Sequence, residues 1–191
     1  MHAADPSVLA HCVAIVLARD ERDGAALMRL AEQLRFGAIL AHGATPPPSQ
    51  FHHRLVFYLV HFDYDLAGKQ KLLFDLRHAP SVSLSFAPVV LFLRQAADDE
   101  VLHNIELGFD DVITVPEDAL VIGRRLAAQI GQEHLYIETR HYLGPDRHRL
   151  DHAAQRRPVR QALEEHAQLT IMRRPETGVH IVRRQVVHAG R

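Results

Sequence analysis

The residues with the most reactive chemistry fall into two short polar clusters, each directly after an apolar run. The first is Arg19-Asp20-Glu21 and the second is His61-Phe62-Asp63-Tyr64-Asp65. Carboxylates grouped in this way suit hard divalent cations, which take oxygen ligands. Histidine is abundant, at 15 of 191 residues, and three groups are close enough in sequence to suggest zinc: His52-His53, His61 with Asp63, and His141, His148 and His152. None has the H-E-x-x-H or cysteine-rich spacing of a metal motif, so a polar surface role is expected, with a pH-sensitive contact as the sharper alternative. Cys12 is the only cysteine, which excludes an intrachain disulfide and fits a reducing compartment. It lies in an apolar run and reads as a small buried hydrophobe. No nucleophile elbow, Gly-rich phosphate loop or dinucleotide fingerprint is present, so no enzymatic activity is expected.

Positioning such clusters takes a scaffold, and the hydrophobic pattern supplies one. Residues 12–18 (CVAIVLA) form a continuous, β-branched run that predicts a buried strand. Residues 23–35 follow with Ala26, Leu27, Leu30, Ala31 and Leu34 at helical spacing. Residues 36–41 predict a second strand, ended by Gly43 and the extended tract Pro46-Pro47-Pro48. The most apolar segment, 54–60, predicts the third strand, and 69–77 a helix. Residues 88–93 predict the fourth strand, and 98–107 a helix stopped by Gly108. A short fifth strand at 112–114 and a helix over 118–130 complete the series. Five strands alternating with helices imply a doubly wound parallel sheet, the flavodoxin-like α/β class with order 2-1-3-4-5. Ligands of such sheets collect at the carboxyl ends of the strands, where both polar clusters fall.

One stretch is more specific. Residues 96–116, AADDEVLHNIELGFDDVITVP, resemble the fourth-helix to fifth-strand region of response-regulator receiver domains. Its centre is Glu106-Leu107-Gly108-Phe109-Asp110-Asp111, then Val112-Ile113-Thr114-Val115-Pro116. With PVVLFL from Pro88, the resemblance covers roughly residues 13–130. It implies a phosphorylation site built from an acidic pair after strand one, an aspartate ending strand three, a hydroxyl after strand four, a lysine before the strand-five proline, and a switch aromatic. This chain is degenerate at these places. Arg19 replaces one acid of the pair beside Asp20; the hydroxyl position falls on Leu93; the lysine position falls on Val115; and strand five offers Val112, Ile113 and Thr114. The phosphoacceptor falls on His61 by strand register or on Asp63 by distance to strand four. A pseudo-receiver is therefore expected, with no cofactor unless Asp63 is phosphorylated with Mg²⁺ on Asp20, a weak site beside a cation. An Arg19–Asp20 or Arg19–Asp63 ion pair, neutral without any ligand, is the preferred alternative.

The chain divides on this reading into a receiver-like domain, 1–132, and an arginine-rich C-terminal extension, 133–191. Tyr142-Leu143-Gly144-Pro145-Asp146-Arg147 predicts a turn that no helix can cross, and is similar to a segment following some bacterial receivers. Pro158 opens a predicted helix to about His166. Residues 169–172 and 180–187 predict two strands joined by a turn at Pro175-Glu176-Thr177-Gly178. So polar a tail cannot build a core alone and is expected to pack on the receiver, a second subunit or a partner.

The expected function is bacterial two-component-type signal transduction by protein–protein contact, independent of phosphorylation. Self-association or partner binding through helix four, strand five and helix five would use Val101, Ile105, Leu120 and Arg124, with a two-fold homodimer as the default. The alternatives are an atypical phosphorylatable regulator using Asp63, and a nucleic-acid-binding regulator acting through the tail arginines. Against the latter, Lys and Arg total 22 against 23 Asp and Glu, and no helix-turn-helix pattern appears. No run approaches the length of a membrane span, so a cytoplasmic protein without membrane association is expected.

Overall fold

A computed structural model describes residues 4–41, 53–147 and 166–187. Five strands, β1 (Val13–Leu17), β2 (Ala38–Ala41), β3 (Val56–Val60), β4 (Val89–Arg94) and β5 (Asp111–Val115), form a parallel sheet in the order β2-β1-β3-β4-β5. This is the flavodoxin-like order expected. β1, β3 and most of β4 are buried on both faces, which is why they read as unbroken apolar runs without alternation. Alternate residues still serve opposite faces. Ala14, Val16, Phe57, Leu59, Val90 and Phe92 pack with α1 (Glu21–Gln33) and α5 (Ala119–Ala127) through Leu27, Ala31, Ile122 and Leu126. Ile15, Leu17, Tyr58, Val60, Leu91 and Leu93 pack with α2 (Leu66–Arg77) and α3 (Val82–Ser85), and with Val101 and Ile105 of α4 (Asp98–Leu107).

Helix starts are set by carboxylates. Asp20, Asp65 and Asp118 accept main-chain N–H groups from the first turns of α1, α2 and α5. At the other end of α4, Gly108 adopts a left-handed φ of 117°, the stop its sequence position suggests. A 3-10 helix at Pro6–His11, α3 and the early start of α2 at Leu66 were not legible in the pattern, because each is too short to carry a period. Burial pushes the Cys12 thiol up to about 12, as befits an inert core residue.

The C-terminal part forms a second, antiparallel sheet of β6 (Glu133–Glu138), β7 (Leu143–Pro145), β8 (His166–Arg174) and β9 (Gly178–Val187), in the order β7-β6-β8-β9. The expected hairpin is present as β8 and β9, longer than predicted, and Gly178 closes its turn at φ 75°. β6 was missed altogether. β7 lies inside the segment read as a turn: a Gly-Pro pair is tolerated there because β7 is an edge strand and Pro145 needs no partner for an N–H it lacks. Pro46-Pro47-Pro48, the helix predicted from Pro158, and His52, His148 and His152 lie outside the described residues.

Among the described residues, the second sheet has no core of its own. Tyr136, Leu169, Ile171 and Val179 belong to the same buried cluster as Phe86, Val90 and Ile113 of the parallel sheet. Each such side chain contributes about 1.5–3 kcal/mol by leaving water. The division expected at residue 132 falls just before β6, and the two parts share one interior.

Candidate functional site

The carboxyl end of the parallel sheet brings together the loops after β1 and β3. His61 donates its main-chain N–H to the Leu17 carbonyl at 2.9 Å, extending the β1–β3 pairing by one residue. That register fixes His61 at the strand end with its side chain buried, 7% exposed, and leaves Asp63 just beyond it. Asp63 Oδ2 accepts the main-chain N–H of Arg19 at 2.7 Å. Its Oδ1 lies 3.2 Å from His61 Nδ1, yet the approach lacks hydrogen-bond geometry, and among the described residues neither atom has another hydrogen-bond partner. Asp23, on the first turn of α1, places a carboxylate oxygen within 4.8 Å of both groups. The phenol of the adjacent Tyr64 is held above its usual range by burial and by the Asp63 charge, partly opposed by Arg19.

The sequence-predicted residues meet different fates here. The link between Arg19 and Asp63 exists, but it runs through the Arg19 main-chain N–H rather than through a guanidinium ion pair. Asp20 stands outside the cluster: its Oδ1 accepts the Arg22 N–H at 2.6 Å as the cap of α1. The carboxylate that joins His61 and Asp63 is Asp23, which the sequence suggested only as a helix-start residue. A Mg²⁺ ion seeks a shell of hard oxygen donors. A buried imidazole in the middle of the donor set and an Asp20 committed to capping do not fit the Mg²⁺ site the resemblance implied. Leu93 is buried near the end of β4 in the cluster on the α2–α4 face, and Val115 is half-buried against the cluster on the opposite, α1–α5 face. Neither can donate to an anion. Of the contact candidates, Val101 and Ile105 pack against the core, whereas Leu120 and Arg124 are exposed, with Leu102 and Val121 exposed beside them on the same two helices.

The opposite end of the sheet holds a polar network that the sequence did not announce. Asp110 precedes β5, and its side chain is only 3% exposed. Its Oδ2 accepts from Arg77 of α2 at 2.8 Å and from the Val89 N–H at 2.8 Å. Its Oδ1 accepts from Arg173 of β8 at 2.7 Å and from the Tyr136 hydroxyl of β6. Arg173 is fully buried and also donates to the Phe86 carbonyl and to Gln129 Oε1. Arg77 donates to the carbonyls of Ser85, Ala87 and Gly108. Burial alone would raise the Asp110 carboxyl, but the Arg173 and Arg77 charges and the Tyr136 hydroxyl hold it well below the usual carboxylate range. Asp110 stood within the receiver-like motif, and Arg173 among the tail arginines. The signal that could have found Arg173 is the alternation Ala167, Leu169, Ile171, Arg173, which places it on the inward face of a strand.

Comparison with known proteins adds fold neighbours. No protein-family model matches the chain, and no curated protein matches it. Among the solved structures that are similar, two are signal receiver domains. One is the N-terminal signal receiver domain of a two-component response regulator from Bacteroides fragilis, 19% identical, with a TM-score of 0.44, covering 61% of this chain and 95% of that one. The other is the signal receiver domain of a signal transduction histidine kinase from Syntrophus aciditrophicus, 20% identical, with a TM-score of 0.41, covering 63% of this chain and 93% of that one. The chain's own strand order and crossovers establish the doubly wound, flavodoxin-like fold, with an antiparallel sheet added at its C-terminal end.

Proposed function

We propose that this chain is a receiver-type signalling domain of the two-component kind that works by protein–protein contact without aspartyl phosphorylation. The observation that carries the reading is the state of the carboxyl end. The two positions implied to hold phosphoryl oxygens are the aliphatic Leu93 and Val115, and the acceptor candidate Asp63 is engaged by the Arg19 N–H and faces His61. A phosphoryl group on Asp63 would add charge where no hydroxyl or lysine of the motif is present to receive it. Such a domain acts through its surface. The α4–β5–α5 side carries exposed Leu102, Leu120 and Val121 with Arg124, and a second copy could meet such a face under two-fold symmetry.

The nucleic-acid reading has less support, because two tail arginines are spent inside the protein, Arg173 on Asp110 and Arg147 on the Phe109 carbonyl, while Arg184 pairs with Glu138 at the surface. Among the described residues no helix is long and apolar enough to cross a membrane. The test is to incubate the full chain with acetyl phosphate and Mg²⁺, and separately with beryllofluoride. Intact mass and amide NMR shifts near Asp63 should stay unchanged. A phosphoryl adduct that disappears in Asp63→Asn would overturn the reading in favour of an atypical phosphorylatable regulator. Light scattering of wild type against Leu120→Glu would then read out self-association, which the substitution should weaken.

A further inference from the structure

We propose that Asp23, His61 and Asp63 form a site for a transition-metal ion of the zinc class at the carboxyl end of the parallel sheet. Three observations converge on it. The ligating atoms of the three side chains lie within 4.8 Å of one another, so small side-chain rotations bring them onto one ion. The His61 side chain is only 7% exposed, and among the described residues its Nδ1 has no hydrogen-bond partner. Asp63 Oδ1, 3.2 Å away, is likewise buried and without a hydrogen bond. A buried nitrogen and a buried oxygen facing each other without a hydrogen bond are each costly to leave unsatisfied. An imidazole bare at Nδ1 would turn its lone pair on the carboxylate, and one protonated at Nδ1, whether neutral or charged, is misaligned to donate. A cation between them satisfies both atoms at once.

The surroundings favour this occupant. Asp63 Oδ2 is held by the Arg19 N–H, which leaves Oδ1 as the free ligand and fixes its orientation, as groups behind a metal ligand commonly do. Asp23 reaches in from α1, whose start is set by the Asp20 cap, so two separate elements hold the donors. An imidazole with two carboxylates suits Zn²⁺ or Co²⁺ far better than Mg²⁺, which prefers an all-oxygen shell. Three protein donors leave at least one coordination position to solvent. The site does not depend on the signalling reading, since a chain that fails to self-associate could still bind the ion here.

Co²⁺ is the probe, added to metal-free full-length protein and followed by its visible absorption and by paramagnetic broadening of amide signals. Broadening should centre on Gly24, Phe62 and Tyr64. His61→Gln and Asp23→Asn should each weaken binding by about tenfold or more, while the exposed His103→Gln leaves it unchanged. Excess Mg²⁺ should not displace the ion. Circular dichroism checks each variant, and if His61→Gln does not fold, the half-buried Asp23 decides the question. The proposal is overturned if broadening centres elsewhere, if Co²⁺ does not bind, if Asp23→Asn binds as tightly as wild type, or if Mg²⁺ competes on equal terms.

Discussion

Asp110 and Asp63 stand at opposite ends of the same parallel sheet, both in loops next to a strand and both largely buried. Asp110 has every lone pair occupied: two arginines, a tyrosine hydroxyl and a main-chain N–H converge on it from four different elements. Asp63 has one oxygen bonded to a main-chain N–H and the other turned to an imidazole without a hydrogen bond. The amino end is thus a finished structural joint that fastens the second sheet to the first. At the carboxyl end, among the described residues, a buried nitrogen and a buried oxygen face each other without a hydrogen bond. A satisfied buried charge is one whose partners are costly to remove, and an unsatisfied buried polar pair is one that calls for an explanation.

The comparison breaks first, and hardest, at the amino end. Asp110→Ala leaves Arg77 and Arg173 buried without their counterion, and urea unfolding should register a loss of about 3–5 kcal/mol. An unchanged midpoint would show that the network is not the joint. Tyr136→Phe removes one donor from Asp110 but keeps the ring packed against Phe86, so about 1–2 kcal/mol should be lost by the same measurement.

Acid should also find the amino end. The folded Asp110 carboxyl is depressed, so its contribution is fully present above the unfolded carboxyl value of about 3.9 and is lost as pH falls below it. His134 is held below its usual range by burial and by the Arg173 charge, so the unfolded chain takes up a proton first as pH falls through about 6.5. Thermal stability should therefore fall slightly between pH 7 and 5, then steeply below about 4. Removing the imidazole in His134→Gln should flatten the first slope, and Asp110→Asn the second. The smallest effect belongs to the other end: Asp63→Asn keeps an oxygen for the Arg19 N–H, and stability should change by less than about 1 kcal/mol. A loss as large as that of Asp110→Ala would erase the contrast between the two ends.

The fold was largely legible because the strands announce themselves. Residues 13–17 and 56–60 are continuous apolar runs, the mark of strands covered on both faces, and Gly108 marked the end of α4. β6 escaped because Glu133–Glu138 carries only a weak alternation, and β7 because its Gly-Pro pair reads as a turn until an edge position excuses it. At the site, His61 and Asp63 were visible as candidates from their place after a strand. Asp23 was not: four positions along from Arg19, it looks like an ordinary acidic residue in a helix's first turn.

By itself, the sequence determined the class of the sheet, the order of its elements and the loops where chemistry would collect, because hydrophobic periodicity and capping are local properties of the chain. It also determined that Leu93 and Val115 cannot bind an anion, since that follows from side-chain type alone. Only the tertiary structure decided which charges are partners. Arg173 lies 63 residues from Asp110, and Asp63 lies 44 residues from the Arg19 N–H it accepts. Electrostatic pairing acts over a few ångströms of space, whatever the separation along the chain, so which carboxylate is satisfied and which is left open is settled when the elements pack.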